Sequence, residues 1–234
     1  MLKLRCGAYD GRGNRTIESR EDIDGAMKAL GNNLYVEAWV PFVKELAVVA
    51  GRDEQGSICA YPVVETIHND HICDTVITPA DVTSDITREA DILAHKILEV
   101  FQGAGVFGIE MFLTNEGKVL INEVAPRVHN SGHHTLHGFT VSQFEQHMRA
   151  VCGESLIQPE MEGKVVVMKN ILGVRNAPAD PQGIEEAEAL GARVEIYGKR
   201  DTKEKRKMGH LTVIADTREE ALRLVNEARL LINI

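Results

Sequence analysis

The 234-residue sequence lacks several features that would assign it to a common class of protein. No apolar run approaches the length of about 18 residues that a membrane span needs, and the first residues have no signal-peptide h-region. The net charge of −9 argues against the basic surface that general nucleic-acid binding requires. The four cysteines have no CxxC spacing and are typical of buried thiols in a reducing cytosol. We therefore expect a cytoplasmic protein that binds neither membranes nor nucleic acids.

The sequence also lacks the short motifs of several nucleotide and metal sites. No GxxxxGK[ST] phosphate loop, GxGxxG fingerprint or HExxH zinc motif is present, and no internal repeat occurs. The hydrophobic fraction of 44% and the charged fraction of 26% are those of a globular protein with a sizeable core. Strands interleaved with helices, many joined as hairpins, predict an α+β fold. A linker-like segment at residues 158–163 divides the chain into predicted domains 1–157 and 158–234.

Capping signals and apolar periodicity predict four helices. Ser19 is the expected N-cap of the first, and a 3.6-residue apolar period covers residues 84–102. Thr140 and Gln143 form the capping box of the third, and Thr217 begins the last. The predicted strands cover residues 34–40, 43–50, 57–64, 164–172, 192–197 and 210–215.

The most informative segment is a predicted hairpin, residues 106–127, with a carboxylate on each strand. A four-residue loop, residues 115–118, would place Glu110 opposite Glu123 on one face of the sheet, whereas a three-residue loop would place them on opposite faces. Two like charges with Cβ atoms roughly 5 Å apart are destabilising unless they share a proton or bind a cation. Mg²⁺ suits the pair because it takes one or two carboxylates and completes its shell with phosphate oxygens and water. We predict a magnesium site there, with a merely polar strand face as the alternative.

Three further segments could serve the same site. The glycine-rich loop after Lys3 could wrap phosphate oxygens with its backbone N–H groups, or be an ordinary surface turn. Pro41 breaks strand pairing, so unpaired backbone there could bind an adenine edge while a carboxylate takes ribose hydroxyls. A solvated strand position is the alternative for Glu37 and Glu45. The basic segment 197–210 is either a solvated hairpin loop or a site for a substrate phosphate.

The segment 127–137 contains four histidines and an arginine directly after the second carboxylate. His129 and His133 have the i,i+4 spacing of zinc ligands, but the glycine between them and the missing HExxH pattern disfavour zinc. Arg127 could instead clamp a planar oxyanion such as bicarbonate, because its forked donors match that geometry. A histidine at neutral pH can also carry a proton.

Taken together, these motifs resemble those of the ATP-grasp ligases, and within them the 5-(carboxyamino)imidazole ribonucleotide synthase family. The specific matches are YDGRG at residues 9–13, NEVAPR-x-HNSGH at residues 122–133 and RKMGH at residues 206–210. Weaker matches in the same order are Lys3, Glu37, and residues 42–45, 61–68 and 107–110. The resemblance implies an ATP-grasp fold followed by a small C-terminal α+β domain.

The resemblance also implies a role for each matched residue. ATP would be bound by Lys3, Ala8, Tyr9, Asp10, Gly11, Arg12, Gly13, Asn14, Glu37, Ala38, Trp39, Val40, Glu45, His68, Asn122 and Glu123. Mg²⁺ would be bound by Glu110 and Glu123 alone, because Ala125 stands where many ATP-grasp members have a third ligand. Bicarbonate and the ribonucleotide would be bound by Arg12, Arg127, His129, Asn130, Ser131, Lys199 and Arg206. The catalytic residues would be Arg127, His129 and Asp10.

The implied reaction is ATP-dependent carboxylation of aminoimidazole ribonucleotide with bicarbonate through carboxyphosphate, in purine biosynthesis. Another bicarbonate- or formate-activating ATP-grasp ligase and a silent, nucleotide-binding fragment are the alternatives. ATP and Mg²⁺ are the implied cofactors. Because the family's N-terminal domain precedes the lysine matched by Lys3, we expect weak or absent activity from this chain alone. A homodimer, a separate N-terminal domain and a fused carboxylase mutase domain are the partners left open.

Overall fold

A computed structural model describes residues 1–8 and 13–234 of the chain. The backbone forms two compact units: an N-terminal unit of residues 1–41 and 68–72, and a main unit of residues 42–67 and 73–234. No helix in the described part of the chain is both long and apolar enough to cross a membrane.

The N-terminal unit contains a small antiparallel sheet and one helix. Its elements are β1 (Leu2–Leu4), β2 (Asn14–Arg15), α1 (Asp22–Leu30) and β3 (Leu34–Val36). Strand β1 lies in the middle and pairs with β2 and β3. The predicted N-cap at Ser19 is wrong, because α1 begins only after Glu21. The carboxylate of Asp22 instead accepts the backbone N–H of Ser19 at 2.8 Å, which holds residue 19 in a turn outside the helix.

The main unit is built on one nine-stranded sheet. The remaining strands of the chain are β4 (Phe42–Arg52), β5 (Ile58–Ala60), β6 (Val64–Asn69), β7 (Ile72–Thr78), β8 (Gly105–Thr114), β9 (Val119–Ala125), β10 (Val165–Leu172), β11 (Ala177–Pro178), β12 (Arg193–Ile196), β13 (Asp201–Thr202) and β14 (Lys207–Ala215). The sheet order is β12-β14-β10-β7-β6-β4-β8-β9, with β5 also paired to β4, while β11 and β13 form a separate two-stranded sheet.

The helices of the main unit are α2 (Ser84–Phe101), α3 (Thr135–Gly138), α4 (Gln143–Val151), α5 (Ile184–Ala189) and α6 (Arg218–Leu231). The predicted second helix is confirmed as α2, which buries Ala90, Ala94 and Leu98 at i, i+4 and i+8. The last helix is also confirmed, since the Thr217 hydroxyl accepts the backbone N–H of Glu220 at 3.2 Å.

The third predicted helix exists as α4, but its expected cap is wrong. Ser142 is the N-cap and accepts the backbone N–H of Glu145 at 3.2 Å. Thr140 lies too early in the chain for this role and accepts the N–H of Glu160 at 3.1 Å instead. The side chain of Gln143 is therefore not used in a capping box.

The alternation of β4 separates the two faces of the sheet. Leu46, Val48 and Ala50 pack in the core cluster that contains the buried residues of α2. Ala47 and Val49 belong to different clusters and point to the opposite face, because successive side chains of a strand alternate. We call this opposite side the polar face, because it carries Glu110 and the histidine-rich segment. Strands β10, β12 and β14 continue the same sheet across the predicted boundary after residue 157, which stays a prediction.

Candidate active site

The hairpin of β8 and β9 places Glu110 directly opposite Glu123, as the sequence predicts. The turn, however, is not the expected one. Thr114 N–H donates to the carbonyl of Lys118 at 2.9 Å, so the loop has three residues, and Gly117 takes the left-handed conformation with φ of 75° that such loops favour. This loop pairs Leu113 with Val119, one position off the predicted register.

A β-bulge restores the carboxylate pair. Met111 faces Ile121 and Glu110 faces Glu123, so Asn122 is the extra residue on β9. The bulge moves the register by one position, which returns Glu123 to the face of Glu110. The three-residue loop that would have separated the carboxylates is therefore compensated within the same hairpin.

Glu45 lies on the same face. In the pairing of β4 with β8, Glu45 faces Phe112 and Ala47 faces Glu110. Glu45 and Glu110 are therefore two residues apart along neighbouring strands and on one side of the sheet. The ring of Phe112 stacks on Phe42 with centroids 4.5 Å apart, which closes this side of the site with apolar surface.

His129 lies directly over the backbone of β8. A Cβ on Gly108 would lie 2.4 Å from the Cβ of His129, so only glycine at position 108 allows this approach. The His129 ring places Nε2 3.6 Å from a Glu110 oxygen, and their side chains are only 11% and 22% exposed. On its other side, Nδ1 accepts the backbone N–H of Ser131 at 3.4 Å and lies 2.9 Å from the Ser131 hydroxyl. In the neutral ring the proton is therefore on Nε2, the nitrogen that faces Glu110.

Asn130 is held by a residue that sequence reasoning missed. Its side-chain amide makes two reciprocal hydrogen bonds with Asn170 of β10, of 3.0 and 2.8 Å. Asn170 is 1% exposed and also donates to the carbonyl of Cys73 at 2.8 Å. This ties the 3-10 turn at Asn130–Gly132 to two strands of the sheet.

A cluster of buried rings lies beyond Asn130 on the polar face. His133 stacks between Phe144 and His210, with centroids 5.6 and 5.1 Å away. Burial lowers the pKa of His133 to about 4, and burial with the neighbouring His133 lowers that of His210 to about 3. Tyr197 Oη lies 3.0 Å from Nδ1 of His210, and burial raises the pKa of its phenol. These groups are neutral at pH 7, so they shape the wall of the site without adding charge.

Three of the cations in the basic segment have different surroundings. Lys199 lies with its ammonium 5.3 Å from the Tyr197 ring centre and donates to the carbonyl of Lys207. Arg206 donates to the carbonyl of Asp201 at 2.6 Å. Lys207 was not among the predicted site residues, yet its charge lowers the pKa of His133 and opposes the burial-driven rise of the Cys73 pKa to about 12. Its ammonium therefore acts on the polar face.

Arg127 is exposed at the start of the histidine-rich segment, residues 127–137. It donates to the carbonyl of Val128 at 3.0 Å. Ser131, in contrast, is buried beneath His129 with 1% exposure, so its hydroxyl supports the ring and does not line an open surface. The main unit thus brings Glu45, Glu110 and Glu123 to one sheet face, with Asn122 as the bulge residue of β9. The loop that follows carries the other predicted residues of this unit, Arg127, His129, Asn130 and Ser131, and His129 lies over that face.

The predicted nucleotide residues of the N-terminal unit form a second group. Lys3 of β1 forms an ion pair with Glu37, whose backbone carbonyl accepts the terminal amine at 2.9 Å. Gly13 packs so closely on Ala8 that a Cβ there would lie 2.2 Å from the Ala8 side chain. The other members are Asn14, which faces Lys3 on β2, and Ala38, Trp39, Val40 and His68. The predictions for Tyr9, Asp10, Gly11 and Arg12 lie outside the described residues.

The donor set on the polar face fits a magnesium–nucleotide complex better than a metal held by protein alone. The described residues contain no group of three or more His, Cys, Asp or Glu side chains that could hold a metal ion. Glu110 and Glu123 supply two hard oxygen donors side by side, and Mg²⁺ commonly fills the rest of its shell with phosphate oxygens and water. His129 and His133 do not form the zinc site considered from their spacing. Nδ1 of each ring accepts a hydrogen bond from the protein, so Nε2 carries the proton and neither nitrogen has a free lone pair for zinc.

Comparison with known families decides the class of the protein. The family model for the ATP-grasp domain matches residues 1–144. The chain belongs to the ATP-grasp family. A second model, the phosphoribosylaminoimidazole carboxylase C-terminal domain, matches residues 166–224. The ATP-grasp fold with a C-terminal α+β domain, expected from the sequence, is confirmed.

Several characterised ATP-grasp proteins are similar over nearly the whole chain. Phosphoribosylaminoimidazole carboxylase of Schizosaccharomyces pombe is 41% identical over 95% of this chain and 42% of its own length. N5-carboxyaminoimidazole ribonucleotide synthetase of Thermotoga maritima has a TM-score of 0.86 and 39% identity over 99% of this chain and 61% of its own. The Aspergillus clavatus synthase, solved with ADP and 5-aminoimidazole ribonucleotide, has a TM-score of 0.86 and 38% identity over 97% and 60%. The chain therefore spans about two to three fifths of these relatives.

Proposed function

We propose that this chain takes part in the ATP-dependent carboxylation of aminoimidazole ribonucleotide with bicarbonate. The observation that carries the proposal is the polar face, where the Glu110–Glu123 pair lies beside His129 in a chain that matches both the ATP-grasp domain and the carboxylase C-terminal domain. The C-terminal match favours this reaction over the other bicarbonate- or formate-activating ligases of the family. The relatives' names and the bound ribonucleotide of the Aspergillus clavatus structure support the same choice.

In this proposal Glu110 and Glu123 hold Mg²⁺ together with the phosphates of ATP. Bound there, the ion would neutralise charge on the transferring phosphoryl group. The two glutamates face each other across the hairpin, so both can reach one ion without a change of backbone. Glu45, two residues along the neighbouring strand from the position opposite Glu110, is proposed to bind the ribose hydroxyls.

The first step joins bicarbonate to the γ-phosphate. A bicarbonate oxygen attacks the γ-phosphorus, the bond to the bridging oxygen breaks, and ADP leaves, which gives carboxyphosphate. Arg127 and the Nε2–H of His129 are proposed to orient the oxyanion, because a guanidinium fork and a fixed N–H donor suit a planar anion. Asn130 offers an amide whose direction Asn170 fixes.

The second step transfers the carboxyl group to the ribonucleotide. Carboxyphosphate breaks down to phosphate and CO₂, and the exocyclic amine forms the new C–N bond and loses a proton. Exclusion of water matters because carboxyphosphate hydrolyses readily. Lys199, Arg206 and Lys207 of the basic segment are proposed to bind the phosphate of the ribonucleotide. The charge of Lys207 acts on His133 of the polar face, and Lys199 lies against the Tyr197 ring.

Measuring ADP release tests the proposal. With ATP, Mg²⁺ and bicarbonate present, addition of aminoimidazole ribonucleotide is expected to raise the weak rate of this chain and to yield the carboxylated product. Stimulation by a different amine or by formate, with no response to the ribonucleotide, would assign the chain to another ligase. If the folded chain binds Mg²⁺ and ADP but forms no ADP from ATP, it belongs to the silent, nucleotide-binding class.

A further inference from the structure

The side chain of Gln143, the first residue of α4, makes three hydrogen bonds to the histidine-rich segment, residues 127–137. It is fully buried. The amide oxygen accepts the backbone N–H of His129 at 2.9 Å, and the amide nitrogen donates to the carbonyl of the same residue at 2.8 Å. These bonds define the amide orientation, because the flipped amide would set donor against donor and acceptor against acceptor.

The same amide nitrogen reaches a second histidine. It lies 2.9 Å from Nδ1 of His133, so its second N–H donates there and the neutral ring carries its proton on Nε2. One side chain therefore fixes the backbone of His129 and the tautomer of His133. The two histidines lie on opposite ends of the 3-10 turn at Asn130–Gly132.

Gly132 gives independent evidence that this contact is built into the fold. A Cβ at position 132 would lie 2.4 Å from Oε1 of Gln143 and 2.7 Å from its Cδ. No side chain fits there while the amide keeps its three hydrogen bonds. Gly132 of the HNSGH motif thus makes room for the side chain of Gln143.

We propose that Gln143 is a positioning residue that holds His129 beside Glu110 and keeps the proton of the neutral His133 ring on Nε2. The inference rests on the proposed function for its effect on turnover, but not for its effect on the two rings. Gln143 touches neither Glu110 nor the reacting groups; it acts through His129.

The chain offers a matched control on the same helix. Gln146 is also fully buried, and its amide oxygen accepts the N–H of Ile157 at 3.1 Å while its nitrogen donates to the carbonyl of Ile157. Gln143→Met and Gln146→Met therefore remove the same kind of contact, a buried amide across one residue's backbone groups. Of the two glutamines, only Gln143 contacts the histidine-rich segment.

The activity comparison separates positioning from stability. Gln143→Met is expected to lower kcat on the order of 100-fold with little change in the KM for ATP, the effect of misplacing a reacting group by about 1 Å. Gln146→Met is expected to lower the thermal midpoint to a similar extent while kcat stays within about twofold. Equal kcat losses in both variants, or a loss confined to KM, would overturn the proposal.

A second measurement does not depend on turnover. Ring-nitrogen NMR of the wild-type chain at pH 7 is expected to show His133 protonated at Nε2 only, and Gln143→Glu is expected to move a proton onto Nδ1, since a carboxylate there can only accept. A His133 ring protonated at Nδ1 in the wild type, or unchanged in the variant, would refute the assignment. If the wild type shows the expected ring but no response to the ribonucleotide, the proposed function fails and the positioning role stands.

Discussion

Replacing Glu123 with glutamine is expected to stabilise the chain without ligand and to remove its stabilisation by magnesium nucleotide. Glu110 and Glu123 are directly opposed, which sets their Cβ atoms about 5 Å apart. At that distance the repulsion of two unit charges is about 1 kcal/mol in water and about 3 kcal/mol at an effective dielectric constant of about 20. Glu123 is exposed and Glu110 has 22% of its side chain exposed, so the lower figure applies. The glutamine variant should therefore unfold about 3 °C higher than the wild type.

With ligand added, the wild type is expected to unfold at a higher temperature than Glu123→Gln. A ligand at about 100 times its Kd stabilises the folded state by about 2.7 kcal/mol, so wild-type chain with Mg²⁺ and ADP should unfold several degrees higher than without. The variant has lost one of two metal donors and should gain little. Thermal unfolding by circular dichroism, with and without Mg²⁺–ADP, measures both effects in one experiment.

The control for this experiment lies on the same hairpin. Glu116 is in the turn, pairs with Lys118 at 2.7 Å and has 72% of its side chain exposed. Glu116→Gln removes the same charge away from Glu110, so it should keep the full ligand-induced shift. A Glu123→Gln variant that is destabilised without ligand, or that keeps the whole shift, would refute the reasoning.

Three other outcomes follow from the geometry. His210 and its neighbour His133 are buried with lowered pKa values, so below pH 6.5 the unfolded chain takes up protons that the folded chain does not. The free energy of unfolding, measured in urea, should therefore decrease as the pH is lowered from 6.5 to about 4, by up to about 1.4 kcal/mol per pH unit for each ring. His210→Gln should flatten that slope. Gly108→Ala should push His129 off β8 and lower ADP release on the order of 100-fold. Asn170→Leu should cost about 1–3 kcal/mol in urea unfolding, because the carbonyl of Cys73 and the Asn130 amide lose their buried partner.

Each of these outcomes has a clear opposite. Stability that rises as the pH falls below 6.5 would mean that the buried rings are charged in the folded chain. Normal ADP release from Gly108→Ala would show that His129 need not lie over β8. An Asn170→Leu variant as stable as the wild type would mean that the reciprocal amide pair is not formed in solution.

Much of the site could be predicted from the sequence because its residues are close together in the chain. The Glu110–Glu123 opposition needs only a hairpin and the two-residue period of a strand. The predicted pairing is correct, but the predicted four-residue loop is wrong, because the loop has three residues and a bulge restores the register. The bulge at Asn122 carries no signal in the sequence that reports its shift of register, since bulges depend on how a strand twists against its partner.

The residues that were missed act across the fold. Asn170 lies 40 positions after its partner Asn130, and only the sheet order brings β10 near the turn above β8. The spacing of Gln143 from Thr140 predicts a capping box, but Ser142 caps the helix and the Gln143 side chain binds the backbone of His129 instead. Long-range contacts of this kind leave no local pattern to find.

The transfer of oxygen from bicarbonate to phosphate tests the central claim most directly. With ¹⁸O-labelled bicarbonate, ATP, Mg²⁺ and aminoimidazole ribonucleotide, the chain should release inorganic phosphate that contains one labelled oxygen, because the attacking bicarbonate oxygen stays on phosphorus when carboxyphosphate breaks down. Mass spectrometry of the phosphate reads the label. Ribonucleotide-dependent release of ADP with unlabelled phosphate would contradict the account, since water and not bicarbonate would then be the group that attacks ATP.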